Sequence, residues 1–319
     1  MSPRLAFVLR RVLLTVPVLL AMSVFVFLII RLVPGDPVRT MLGFRATEAN
    51  VVAVRHRLGL DQPVLQQFGH FLSGLLHGDL GQDLVSRAPL TGLLSQRLPV
   101  TLELTGLSML LAVLVGVPLG VWSAVGGRWT KRLTHGFVVL GICIPDFWLG
   151  IMLVLLFAGT LSVLPPSGYA PFGQDPAANL RYLALPVLTL ATAEAAYLLR
   201  TTRGALEEAL DRPYVSFLRA KGLSRWRIVA GHALRNAAPT IVTVIGIQVG
   251  VLLGGAIVVE TLFALPGVGR LVVTAINQRN YPTVQAGVLV IAAMFIVVSL
   301  VMDLLVGLLD PRVSDGAGT

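Results

Sequence analysis

Charge is what this chain has least of: only 13% of its 319 residues are Asp, Glu, Lys or Arg. Soluble domains carry about 25%. With 55% hydrophobic residues and a mean hydropathy of +0.82, an ordinary soluble enzyme is excluded. Cysteine is nearly absent. The single Cys143 sits in an apolar run, which excludes an intrachain disulfide and a cysteine metal cluster. His56, His70, His77, His135 and His232 show no His-Glu-x-x-His or comparable ligand spacing. A phosphate-binding loop with two glycines followed by Lys-Ser or Lys-Thr is also missing, so ATP is not bound here in that way. Acidic residues number 16 against 25 basic ones, giving a net charge of +9 and a pI near 10.7. On a soluble protein that balance points to nucleic acid; where the charges lie decides otherwise.

What the chain has is long apolar runs. A bilayer core about 30 Å thick needs roughly 20 apolar residues per helix. Six runs meet that need, at about 12–30, 100–124, 135–161, 183–199, 237–262 and 284–309. Glu194 and Pro186 interrupt the fourth, which makes it the least regular. The first, bracketed by Arg10, Arg11 and Arg31, is followed by no small-residue cleavage site and reads as an anchor. With the N-terminus inside, the inside segments collect Arg4, Arg10, Arg11, Arg128, Lys131, Arg132, Arg312 and eight more basic residues between Arg200 and Arg235. That is 15 against the five acids Glu207, Glu208, Asp211, Asp310 and Asp315. The two short outside loops hold only Arg181, Arg270 and Arg279. Both termini are therefore expected in the cytoplasm. The net charge marks topology, and nucleic acid is not an expected partner.

The outside loop, 34–99, predicts two short helices. Apolar spacing at Val51, Val52, Val54 and Leu58 suggests one over 48–58, with Gly59 ending it in the left-handed region. Asp61 is positioned to cap a second helix from about Pro63, with Leu65, Phe68, Phe71, Leu72, Leu75 and Leu76 on one side. Such a face packs on the bundle or receives a partner, the first being favoured. Inside, Asp211 suggests an N-cap with Pro213 in the first turn and Gly222 ending a helix whose face carries Tyr214, Phe217 and Leu218. Ser224 suggests a second start, with Trp226, Val229, Ala230 and Ala233 on one face. Two short amphipathic helices between spans can lie on lipid or dock into a cytoplasmic protein, and the pattern favours neither.

These residues are also recognisable. Asp211-Arg-Pro-Tyr-Val-Ser-Phe-Leu-Arg-Ala-Lys-Gly-Leu-Ser224 followed by His232-Ala-Leu-Arg-Asn236 resembles the cytoplasmic signature loop of binding-protein-dependent transport permeases. The likeness is to the first permease subunit of the dipeptide/oligopeptide/nickel branch of ATP-binding-cassette importers. It extends over about residues 4–313, through Arg31-Leu-Val-Pro-Gly-Asp-Pro37, Leu58-Gly-Leu-Asp-Gln-Pro63, Gly78-Asp-Leu-Gly81 and Leu98-Pro-Val-Thr-Leu-Glu-Leu104. It continues in Leu164-Pro-Pro-Ser-Gly168, Val259-Glu-Thr-Leu-Phe-Ala-Leu-Pro-Gly-Val-Gly-Arg270 and Leu309-Asp-Pro-Arg312. Phe217-Leu218 departs from it, because small residues usually stand before Arg-Ala-Lys-Gly. The resemblance implies a second, homologous permease subunit, two cytoplasmic ATPases that bind ATP and Mg, and an extracytoplasmic substrate-binding protein. It implies that Asp211, Tyr214, Val215, Arg219, Ala220, Lys221, Gly222, Leu223 and Ser224 form the segment that couples to an ATPase. No cofactor is expected in this chain, and no catalysis.

Carboxylates in or at the ends of spans are the remaining chemical candidates, since a charge at a span centre costs roughly 2.5–3.5 kcal/mol on insertion scales. Glu103, Glu194, Asp146, Glu260 and Asp303 qualify. Glu194, Asp146 and Asp303 line a pathway or make structural hydrogen bonds, and Glu260 beside Thr261 is a gate candidate with Arg270. Gln248 can present an amide to a peptide backbone. Gly246, Gly250 and Gly254 in the fifth run, and Gly116 and Gly120 in the second, form small-residue faces where helices approach closely. They serve either a partner permease or packing within the chain.

The expected protein is thus an all-α, polytopic plasma-membrane protein with six transmembrane helices and a type I ABC-importer permease fold. A cytoplasmic N-terminus and first span (1–33) lead into the outer loop (34–99). A five-span core (100–309) follows, containing the coupling loop (200–236), then a short tail (310–319). Its expected work is ATP-driven import of di- or oligopeptides by alternating access. Nickel, glutathione or another small solute on the same machinery is the nearer alternative, and an ion-gradient-driven transporter or channel the more distant one.

Overall fold

The structure, a computed structural model, describes residues 3–32, 38–39, 46–57 and 59–309. The expected tail, Leu58 and residues 33–37 of the first resemblance motif lie outside them, as does the side chain of Asp303. The described residues are helical, without strands beyond one isolated antiparallel bridge between Gln82 and Pro89. In chain order the helices are α1 (Pro3–Leu32), α2 (Glu48–Arg57), α3 (Val64–Leu76), α4 (Leu90–Val125), α5 (Arg128–Cys143) and α6 (Asp146–Leu153), which continues as π-helical turns over Val154–Thr160. Then come α7 (Pro176–Leu210), α8 (Pro213–Ala220), α9 (Arg225–Ile228, with π-helical turns Val229–Ala233), α10 (Leu234–Leu262), α11 (Val268–Asn277) and α12 (Tyr281–Leu309).

Among the described residues, four helices are long and apolar enough to cross a membrane: α4, α7, α9 with α10, and α12. The run expected to be the third span falls on two helices, α5 and α6, bent by 102°. Pro145 is the cause, because it cannot donate to the ladder and pushes the residue before it into extended backbone, and Ile144 has ψ 121°. Counted as one span, the pair makes five; the first apolar run lies in α1, with Leu13–Leu28 as its described apolar stretch. The second span also differs from expectation. Its helix starts at Leu90, inside the stretch assigned to the outer loop, and passes through Pro99.

The chain divides into two compact units. The first comprises 1–11, 102–265 and 297–319. At its centre is α7, packed on α5, α6 and α10. Leu183, Leu185, Leu190, Ala195, Ala196, Leu198, Leu199 and Leu206 are buried along it. Pro186 and Glu194 therefore do not interrupt the fourth span. A helix enclosed by protein can hold a polar side chain that lipid would not tolerate. Large apolar side chains on α5 and α6, among them Leu133, Leu140, Leu155 and Leu156, are exposed and suit a lipid-facing surface.

The second unit comprises 12–101 and 266–296. Its core gathers Leu90, Leu94, Val268, Leu271 and Ala286. Thr101 Oγ1 accepts a hydrogen bond from the Val268 N–H (2.9 Å), so α4 supplies the cap that Gly267, lacking a side chain, cannot give α11. Gly59 has φ +64° as expected, and the Leu60 N–H closes back on the Arg55 carbonyl (2.9 Å). Asp61, expected to cap α3, does not; Pro63 takes that position with no side-chain hydrogen bond. The α3 face packs through Phe68 and Phe71, whose rings lie 5.0 and 5.7 Å from that of Phe27 in α1, while Leu65 and Leu76 stay exposed.

Candidate coupling and pathway sites

The connection from α7 to α10 is built by two chain reversals. Asp211 does not cap α8. Its N–H bonds the carbonyls of Glu207 and Glu208 (3.1 and 3.3 Å), so its backbone is helical and it closes α7 instead. Arg212 is extended, and Pro213 opens α8 with the φ a first helical residue needs. At the other end Gly222 has φ +79°, its N–H bonds the Arg219 carbonyl (2.9 Å), and the Leu223 N–H reaches Leu218 (3.3 Å). A left-handed residue here favours glycine because no Cβ meets the following carbonyl.

These reversals divide the labour between the two short helices. In α9, Val229 and Ala233 are buried against Leu206 and Ala209 of α7, and the Arg225 guanidinium donates to the Val125 carbonyl at the end of α4 (2.7 Å). Ser224 occupies the N-cap position without a side-chain hydrogen bond, and Trp226 and Ala230, expected on one face with Val229 and Ala233, are exposed while those two are buried. In α8 only Val215 is buried; Tyr214 and Leu218 are half-buried. Ser216, Phe217, Arg219, Ala220 and Lys221 are exposed, with the Lys221 ammonium 4.5 Å from the centre of the Phe217 ring. Phe217 thus leaves the face on which it was expected with Tyr214 and Leu218. The result is a short helix anchored at one edge and bare on the other.

Deeper in the first unit, two candidates from distant parts of the chain meet. The Gln248 amide donates to Glu194 Oε2 (2.7 Å), both side chains being buried. Asp146, half-buried at the first residue after the Pro145 break, has Oδ2 3.7 Å from where a Cβ on Gly255 of α10 would stand. Glu260 is fully buried. Among the described residues no group of three or more His, Cys, Asp or Glu could hold a metal ion.

The glycines part company. A Cβ on Gly116 would stand 2.6 Å from the Ala195 carbonyl oxygen, and one on Gly120 2.6 Å from Thr202 Cβ, so these two seat α4 against α7. Gly246 faces Met302 of α12 (2.9 Å), whereas Gly254 has nothing within 4 Å; Gly250 is half-buried.

The Tyr169 partner of the candidate Glu103 and a network around Asp83 were not foreseen. The Tyr169 hydroxyl donates to Glu103 Oε2 (2.8 Å); burial and that carboxylate push its pKa up to about 12. Asp83 accepts from the Val85 and Ser86 N–H groups and the Ser86 hydroxyl through Oδ1, and from the Asn280 amide and Thr283 hydroxyl through Oδ2. Burial raises the Asp83 pKa, but these donors outweigh it and hold the carboxyl below its ordinary value. The only sequence cue was the neighbouring Gly78-Asp-Leu-Gly81.

Residues 116–315 match the family described as binding-protein-dependent transport system inner membrane component, and residues 4–105 match the N-terminal family of the same membrane components. This chain belongs to that family. The permease is 41% identical over 310 residues to the glutathione transport system permease protein GsiC of Salmonella typhimurium, covering 97% of this chain and 99% of that one. It is 38% identical to the dipeptide transport system permease protein DppB of Escherichia coli, covering 97% and 98%. In solved structures, an inward-facing form of the MetNI methionine ABC transporter aligns with 68% of the permease and 96% of its own chain, with a TM-score of 0.57 and 18% identity. That likeness speaks for the fold alone. The permease is therefore an all-α, multi-pass inner-membrane component of an ABC importer, a transport subunit.

Proposed function

We propose that the permease imports a small peptide or peptide-like solute by alternating access, driven by ATP hydrolysed in separate subunits. The relatives' names supply the solute class: a dipeptide, and the tripeptide-like glutathione. ATP and Mg belong to two cytoplasmic ATPases, a second homologous permease completes the pathway, and an extracytoplasmic binding protein delivers the solute. The membrane is crossed six times, by α1, α4, the α5–α6 pair, α7, α10 and α12. Both termini are cytoplasmic, which the density of Lys and Arg between 200 and 235 supports.

The observation that carries the coupling role is the asymmetry of α8. Its exposed edge of Phe217, Arg219 and Lys221 suits a groove on another protein, while α9 is fixed into the bundle by Val229, Ala233 and Arg225. An ATPase gripping α8 would move α7 and α10 with it. Energy from ATP biases the two states of the spans only through contacts that differ between them, and an anchored lever provides them. Glu194, Gln248 and Asp146 are the proposed polar patch of the pathway, Glu260 and Asp303 its further candidates, and Gly254 and Gly250 the approach face for the partner permease.

The test uses Cys143→Ser permease carrying one new cysteine at exposed Ser216, purified with its partners. Photocrosslinking to an ATPase subunit from a benzophenone maleimide attached at Ser216→Cys, responsive to nucleotide, is expected. Crosslinking to lipid-facing probes alone, with no ATPase adduct, refutes the coupling role.

A further inference from the structure

Transport as described leaves unused a groove at the end of the first unit that precedes and opens α5. Its wider part, about 550 Å³, is lined by Gly126, Gly127 and the nitrogen-bearing side chains of Arg128, Lys131, Arg132, His135 and Arg203. A second cavity of about 280 Å³ shares His135 and Arg203 as walls and is otherwise mostly apolar, with Val138, Val139, Ile142 and Leu199. One groove therefore has a cationic mouth and a greasy tail.

The cations outnumber the carboxylate that faces them. Glu207 is the one carboxylate paired with this cluster among the described residues, meeting Lys131 Nζ at 2.9 Å and Arg203 Nε at 3.2 Å. Arg128 and Arg132 are exposed, Arg132 lying over the Trp129 ring at 5.4 Å. All three cations of 128–132 fall in the opening of α5, where positive charge opposes the helix dipole, and the first turn holds no acidic residue of its own. Helix stability therefore disfavours them, and a bound anion would favour them. Trp129, 74% exposed, is the residue type that settles at headgroup level. A free phosphate would use the cations and leave the apolar walls bare. A phospholipid uses both.

We propose that this groove binds one anionic phospholipid, its phosphate held by Arg128, Arg132 and Arg203 and an acyl chain laid along Val138, Val139, Ile142 and Leu199. Basic pockets between spans on the cytoplasmic side recognise such headgroups. The site rests on the cytoplasmic placement of 126–135 proposed above.

The chain supplies its own reporter, because Cys143, its only cysteine, is exposed and lines the apolar part. The purified transporter complex in detergent is alkylated with a small apolar maleimide while phosphatidylglycerol, phosphatidylcholine or inorganic phosphate is titrated in. Phosphatidylglycerol should slow labelling of Cys143, and the other two should not. Arg128→Gln/Arg132→Gln should need roughly thirtyfold more phosphatidylglycerol for the same protection, as expected for two surface cations at a headgroup. Arg128→Lys/Arg132→Lys should retain it, which separates lost charge from lost folding. Equal protection by phosphatidylcholine overturns the proposal, as does protection by inorganic phosphate or a cysteine unreactive without lipid. Sidedness plays no part in detergent. An error in the proposed orientation would instead appear as Ser216→Cys labelling from the outer face of intact cells.

Discussion

Replacing Gly116 or Gly120 by alanine should destabilise the permease, although alanine is the better helix former. The substituted methyl at Gly116 would stand 2.6 Å from the Ala195 carbonyl oxygen and 2.9 Å from Leu198 Cβ; at Gly120 it would stand 2.6 Å from Thr202 Cβ and 2.9 Å from the Leu199 oxygen. Ordinary contact begins at 3.4 Å, so α4 and α7 must separate by about 0.8 Å, against backbone and Cβ atoms rather than flexible side-chain ends. Such overpacking costs about 1–3 kcal/mol per site, while the glycine-to-alanine change in helix propensity returns about 1 kcal/mol. The net expectation is a loss of roughly 1 kcal/mol for each single change. The double change should cost less than twice that, since one displacement relieves both clashes. Gly106 and Gly204 provide the control: both are helical and have nothing within 4 Å. Alanine there should be neutral or stabilising. Thermal unfolding of the purified chain in detergent, followed by circular dichroism, reads all four. Equal melting temperatures for Gly116→Ala and Gly106→Ala would refute the close α4–α7 approach.

Other consequences are as specific. Asp83→Ala strands the Asn280 amide and Thr283 hydroxyl and should cost about 3 kcal/mol. Because the folded carboxyl is held below its ordinary value, its contribution is complete above the unfolded value of about 4 and fades as pH falls through the folded one; acid unfolding curves of wild type and Asp83→Asn should converge there. Glu194→Leu leaves the Gln248 amide buried without its acceptor and should cost about 1–3 kcal/mol. Glu194→Gln keeps an acceptor, so it should preserve the melting temperature while lowering uptake, and full uptake would remove Glu194 from the pathway. Gly254→Ala should leave the isolated chain's stability unchanged or raise it, since nothing lies within 4 Å of the added methyl, but reduce recovery of the partner permease in a pull-down.

The membrane-spanning character, the order of the helices, the left-handed residue at Gly59 and the helix end at Gly222 could all be read from composition and local pattern. What escaped was set by three-dimensional context. Hydropathy undervalues α7 because it assumes lipid around every span, whereas Glu194 finds Gln248 across a helix interface 54 residues away in sequence. Asp61 and Asp211 have capping side chains, but their caps depend on where the chain turns, and Asp211 is still inside the last turn of α7. The Asp83 network joins residues 197 and 200 positions apart, and Tyr169 reaches Glu103 across 66. No local spacing records such pairs. Phe217 illustrates the same point in reverse. Periodicity put it with Tyr214 and Leu218, yet the packed edge of α8 is centred on Val215, which turns Phe217 outward.

The most direct measurement is uptake of a labelled dipeptide into proteoliposomes holding the purified complex of this chain with its copurifying subunits. The account predicts uptake only with internal or external ATP on the ATPase side and binding protein on the other. It also predicts that Gly222→Val, which imposes a β-branched side chain at φ +79° with no steric neighbour, keeps ATP hydrolysis while losing most uptake. Uptake driven by a proton gradient without ATP, or normal uptake per ATP by Gly222→Val, would contradict it.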